Sequence, residues 1–176
     1  MNWRHKMYTT RKITCAAVLL AALIQNLTTL AQAADDVKSA AEKEQELIAV
    51  LRSDAPGSEK AIACKGLAIH GSSTAVPDLA KLLPNPQLSS WARIALEVIP
   101  DNASDDALRN AAGSLNGLLL VGTINSIGVR EDAKAVDLLT KKLHDTDDEV
   151  ASAAAVALGH IGNDTATKSL RAGLAA

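Results

Sequence analysis

A helix-ending signature recurs four times along this chain, and its recurrence limits the fold more than any other feature. Leu67-Ala68-Ile69-His70-Gly71, Leu96-Glu97-Val98-Ile99-Pro100, Ile124-Asn125-Ser126-Ile127-Gly128 and Leu158-Gly159-His160-Ile161-Gly162 close on Gly or Pro at spacings of 29, 28 and 34 residues. That is the period of a helix pair in tandem. Four positions before each terminator stand Leu67, Leu96, Ile124 and Leu158; five before, Gly66, Ala95, Thr123 and Ala157; eight before, Ala63, Ala92, Leu120 and Ala154. These offsets share one helix face. Large residues beside small ones let neighbouring helices approach closely while the larger side chains fill the gaps. At the terminators, Gly is expected to take a left-handed backbone and Pro to stop the helix for want of an amide hydrogen.

A second amphipathic segment follows the stops, as in residues 74–83 and 132–143, where apolar residues recur three or four apart. Leu83-Pro84-Asn85-Pro86 and Asp145-Thr146-Asp147-Asp148 between the helices are turn formers and caps. The unit is helix, turn, helix, turn.

The stretches from Gly71 to Leu79 and from Asp147 to Gly162 resemble HEAT repeats, in the bacterial form related to phycobilisome-lyase repeats. The resemblance implies an all-α protein, a right-handed α-solenoid of antiparallel helix pairs, with about four repeats stacked so that each covers the next. It spans the chain from near Glu44 onward. A helix over residues 35–52 is expected to cover the first end, with Glu42 to Glu46 as its solvated side and Leu47, Ile48 and Leu51 facing inward. Two features depart from the family pattern: Ala151 stands where such repeats commonly carry arginine, and Gly113, Gly117 and Gly122 are expected to weaken the register of the third repeat. The last copy, from Asp164, supplies one helix of a pair.

Residues 1–33 read as a secretory signal and not as part of the fold. Arg4, Lys6, Arg11 and Lys12 form a basic start, Ile13 to Ile24 an apolar run, and Ala31-Gln32-Ala33 a small-x-small site with cleavage expected before Ala34. A retained anchor is the rival reading, but Gln25, Asn26, Thr28, Thr29 and Gln32 interrupt a run that needs about 20 apolar residues to span a bilayer. Cys15 precedes the apolar run, which argues against lipid attachment. The expected mature chain, residues 34–176, is thus exported to the periplasm or medium, without stable membrane insertion. Losing four of the 18 basic residues leaves 14 Lys and Arg against 20 Asp and Glu. A nucleic-acid partner is disfavoured, because phosphate binding needs clustered basic groups.

Residues able to carry chemistry are few and scattered. Cys64 is the single cysteine of the mature chain and reads as a buried helix residue. Asp145, Asp147, Asp148 and Glu149 read as a helix cap in preference to a calcium loop, since they lack an EF-hand glycine and distant glutamate. His70 shares the column of Ile99, Ile127 and Ile161 and reads as a packed helix end, while His144 and His160 read as exposed. Asn102-Ala103-Ser104 and Asn163-Asp164-Thr165 have the N-glycosylation form, which arises easily by chance. No nucleophile, base or metal motif is present, so no catalytic residue, metal or cofactor is assigned. Trp91, the one mature aromatic, falls in the column of Ile62, Leu119 and Ala153 and reads as core, with an interface anchor as its functional alternative.

The face three, six and seven residues before the terminators carries Lys65, Arg93, Ile94, Glu97, Val121 and Asn125. Its mixture of charged and apolar side chains suits protein recognition. The sequence therefore points to an exported scaffold or adaptor that binds protein and has no catalysis of its own. The competing readings are a lyase-like or chromophore-handling factor, suggested by the family likeness, and a structural segment of a larger exported enzyme.

Overall fold

The computed structural model describes residues 39–173. The signal segment, its cleavage site and Tyr8, Cys15 and Trp3 lie outside them. Residues 43–176 form one compact unit; of the other unit, residues 1–42, only the first turn of helix α1 is described. No helix among the described residues is long and apolar enough to cross a membrane.

All regular structure among these residues is helical. Helix α1 covers residues 39–52, and Gly57–His70 forms α2. Then follow α3 (Val76–Ala80), α4 (Ser89–Val98), α5 (Asn102–Ala112), α6 (Gly117–Val129), α7 (Val136–Lys142), α8 (Asp148–Ile161) and α9 (Asp164–Gly173). Single 3₁₀ turns at Ser73–Ala75 and Ala133–Ala135 lead into α3 and α7. Short connections pair α3 with α4, α5 with α6 and α7 with α8. Across the pairs, α2, α4, α6 and α8 pack in succession as one layer, and α3 packs on α5 and α7 on α9 in the other. Packed helix pairs of this kind are those the sequence columns demand.

The columns are the core. Leu67, Leu96, Ile124 and Leu158 have no exposed surface, and Ala63, Ala92, Leu120 and Ala154 are buried beside them. Thr123, the one polar member of the column five before the terminators, is fully buried and donates to the Leu119 carbonyl at 2.8 Å, so its hydroxyl carries no unpaired cost. The expectation for α1 divides: Ile48 and Leu51 are buried and Leu47 is half-buried against the core. Glu44, read as solvated, is instead buried and accepts hydrogen bonds from the Ser72 amide at 2.5 Å and its hydroxyl at 2.8 Å. A carboxylate there satisfies the start of the turn that follows α2.

Three of the four terminators stop their helices, each in a different way. Gly162 takes the left-handed backbone expected of it, with φ of 61°. Gly71 does not; it is extended, with φ of −76°. Before Pro100, α4 ends at Val98 and Ile99 turns extended, as a residue preceding proline must. Gly128 lies inside α6, which runs on to Val129, and the positive φ of that turn falls on Glu131. Gly128 serves packing: a Cβ placed there would stand 2.9 Å from the Ala157 Cα. The backbones of α6 and α8 approach so closely that even a methyl group is excluded.

The third repeat keeps its register despite its glycines, contrary to the sequence expectation. Its helix α6 is packed on both α4 and α8.

Two substitutions separate packing from propensity. Gly128→Ala should destabilise the fold by roughly 1–3 kcal/mol, because the close approach to Ala157 must open. Gly159→Ala, where a Cβ meets nothing within 4 Å, should stabilise it by about 0.5–1 kcal/mol through helix propensity alone. Urea unfolding of the two variants beside the wild type measures both.

Candidate functional site

Seven large hydrophobic side chains are exposed among the described residues: Ile62, Ile69, Ile94, Val98, Leu118, Val129 and Val156. All of them sit on α2, α4, α6 or α8, the helices of a single layer. Helical periodicity makes this a property of the face: Ile94 and Val156 occupy the same column, as do Ile69 and Val98. The opposite sides of these helices carry the buried columns, so α2, α4 and α6 each have two large aliphatics outside as well as a buried side, and α8 has one. A helix apolar on both sides is the sign of a second contact.

The residues expected at this face divide into free and committed ones. Lys65 is exposed, and its ammonium stands 5.6 Å from the centre of the Trp91 ring, across the seam between α2 and α4. That is cation–π range. Trp91 itself is half-buried against the core, between the two readings the sequence allowed. Ile94 and Asn125 are exposed, and Val121 is half-buried.

Arg93 and Glu97 are half-buried and committed to the neighbouring helix. The Arg93 guanidinium donates to the Gly122 carbonyl at 3.0 Å and to the Ser126 hydroxyl at 3.2 Å, and that hydroxyl donates to Glu97 at 2.6 Å. Burial pushes the Arg93 pKa down, opposed by the nearby Glu97 carboxylate. Gly122 is what makes room: a Cβ there would lie 2.7 Å from the Arg93 Cζ. These groups tie α4 to α6.

Several polar links were invisible in the sequence because at least one partner in each lies 23 to 34 residues away. Arg130 sits at the end of α4, where its guanidinium donates to the carbonyls of Leu96 and Ile99 at 2.8 Å each, to Asp101 at 3.1 Å, and pairs with Asp105. It thereby satisfies carbonyls that the end of a helix leaves open, at the pole of the dipole that favours a cation. Arg109 pairs with Asp132 and Asp106. Arg52 and Lys81 pair with the buried Asp78 at 2.8 and 2.9 Å. The signal available in the sequence was the arginine or aspartate near each turn, without its partner.

The remaining candidates are placed as follows. Asp147 caps α8 by accepting from the Glu149 amide at 2.9 Å, as expected of the acidic turn, and Thr146 takes no part. Asp145 accepts from Lys142 at 2.9 Å, which with the Asp147 amide holds its carboxyl below the usual range. The Asn163 side chain accepts from the Ala166 amide at 2.8 Å at the start of α9. His70 is half-buried at the end of α2, and His144 and His160 are exposed. Cys64 is fully buried, and burial pushes its thiol up to about 11. Among the described residues, no three His, Cys, Asp or Glu gather as they would around a metal ion. An open groove of about 470 Å³ runs between α3 and α5, floored by Val76, Pro77, Ala80, Ala107 and Leu115.

Two helix layers with an apolar outer face and no convergent polar centre define a helical-repeat protein. Residues 114–176, from the turn before α6 to the end of the chain, match the family model of HEAT repeats. The columns of that segment continue without change of register through α4 and α2. No curated protein matches the chain significantly.

The Asp78 pair sets a dependence on pH. Hydrogen bonding from Arg52, then from Lys81, holds the Asp78 carboxyl below its ordinary value. Its contribution is therefore complete above the ordinary carboxylate pKa of about 3.9 and is lost as pH falls through the depressed value. Asp78→Asn should cost about 1–3 kcal/mol at neutral pH. In urea titrations the gap to the wild type should narrow once pH drops below about 4.

Proposed function

We propose that this chain is an exported protein-interaction scaffold that acts through the outer face of α2, α4, α6 and α8 and performs no chemistry of its own. The observation that carries the reading is the confinement of every large exposed aliphatic among the described residues to that one layer. Scattered apolar side chains need no explanation, but a concentration on adjacent helices marks a surface meant to be covered. HEAT repeats, which residues 114–176 match, generally serve as such scaffolds. Trp91 and Lys65 add an anchor of the kind enriched at binding hot spots.

Export rests on the basic start, the apolar run and the Ala31-Gln32-Ala33 site. Cell fractionation with intact-mass measurement tests it: the expected product starts at Ala34 and is found outside the cytoplasm, and an uncleaved cytoplasmic chain contradicts it.

Site-specific photo-crosslinking tests the face. A photoreactive residue at Ile94, Leu118 or Val156 should form adducts with protein in cells, at least several-fold above one at the exposed Asp137 of α7. Absence of any protein adduct from all three positions overturns the reading.

A further inference from the structure

The apolar face has a composition that singles out one occupant. Its seven aliphatics are between 44 % and 78 % exposed. Together they present on the order of 700 Å² of surface, close to the ~800 Å² that each partner gives to a standard interface. Charge on the face is sparse. Lys65 lies over Trp91, Arg93 and Glu97 are engaged with α6, and α8 contributes the exposed Glu149 and His160, the latter in the column of Ile69 and Val98. A surface of this area, with more aliphatic than charged side chains, resembles a permanent homodimer interface more than a transient one.

The arrangement is also compatible with itself. The layer runs α2, α4, α6, α8, and the aliphatics fall on both sides of the seam between α4 and α6. Ile62, Ile69, Ile94 and Val98 lie on one side, Leu118, Val129 and Val156 on the other. A two-fold axis along that seam lays α4 of one copy on α6 of the other, and α2 on α8. Ile94 and Val98 of α4 then face Leu118 and Val129 of α6, and Ile62 and Ile69 of α2 face Val156 of α8, so the contact is isologous. Charge raises no obstacle, because Lys65 of α2 is set over α8, the helix that carries Glu149, and not over itself.

We infer that this chain is a homodimer joined face to face through α2, α4, α6 and α8, so that the partner recognised at the scaffold's face is a second copy. This rests on the reading of that face as a protein-binding surface and names its occupant.

Sedimentation velocity on the purified chain tests the inference. The wild type should sediment as a dimer, and the double variant Ile94→Arg/Leu118→Arg as a monomer with unchanged helical circular dichroism. Its dissociation constant should rise by roughly a hundredfold or more. Because both substituted residues are exposed, Ile62→Arg/Val156→Arg serves as a second variant should the first lose its helicity. A wild-type chain that is monomeric up to millimolar concentration overturns the inference, as does a dimer that both variants leave intact. The photo-crosslinks separate this failure from that of the broader reading. Adducts of twice the chain mass support the dimer, and adducts exclusively with other proteins refute it while leaving the face a binding surface.

Discussion

The close lateral approach of α2, α4, α6 and α8 is the constraint on which the rest of the structure depends. The chain has no Phe, and its one aromatic in the described residues is Trp91, so the core is not filled by large rings. Ala92, Ala95, Ala154 and Ala157 instead bring helices near enough for Leu67, Leu96, Ile124 and Leu158 to interlock. Gly128 against Ala157 marks a point where two backbones of that layer come close. None of these helices can shield its apolar side unaided, so stability is shared between neighbours.

Polar groups reinforce the same contacts from the edges. Arg93, Ser126 and Glu97 bridge α4 to α6, and Arg130 closes the end of α4 from the turn after α6. Each of these charged side chains is bound inward, which removes it from the outer surface. The consequence is functional: with Arg93 and Glu97 engaged by α6, the outer face presents its aliphatics beside few free charges, Lys65 and Glu149 among them.

The repeating part of this structure was legible in the sequence. Columns fixed by the 3.6-residue period need no distant partner to be read, so the helix pairs, the buried leucines, Ile48 and Leu51, and the cap at Asp147 followed from local pattern. What was not legible depends on contacts about one repeat apart. Glu44 sits in a run of charges, and only Ser72 explains its burial. Arg93 and Glu97 read as surface because their helix positions point outward, yet Gly122 opens a recess for the guanidinium on the next helix. Glycine posed the same problem at the terminators. Gly162 acts through its backbone freedom and Gly128 through its lack of a side chain, and the sequence does not distinguish those uses. The apolar face was partly legible, through Ile94 and Val121, but its extent over Ile62, Ile69, Leu118 and Val156 emerges only once the helices are set side by side.

Hydrogen exchange on an Ile124→Ala variant tests the shared packing of the helix layer most directly. Ile124 is fully buried in α6, between α4 and α8. If stability is held in common, its truncation lowers amide protection in α4, α6 and α8 together, with α2 following to a smaller degree. Loss of protection confined to α6, with α4 and α8 exchanging as in the wild type, would contradict the account.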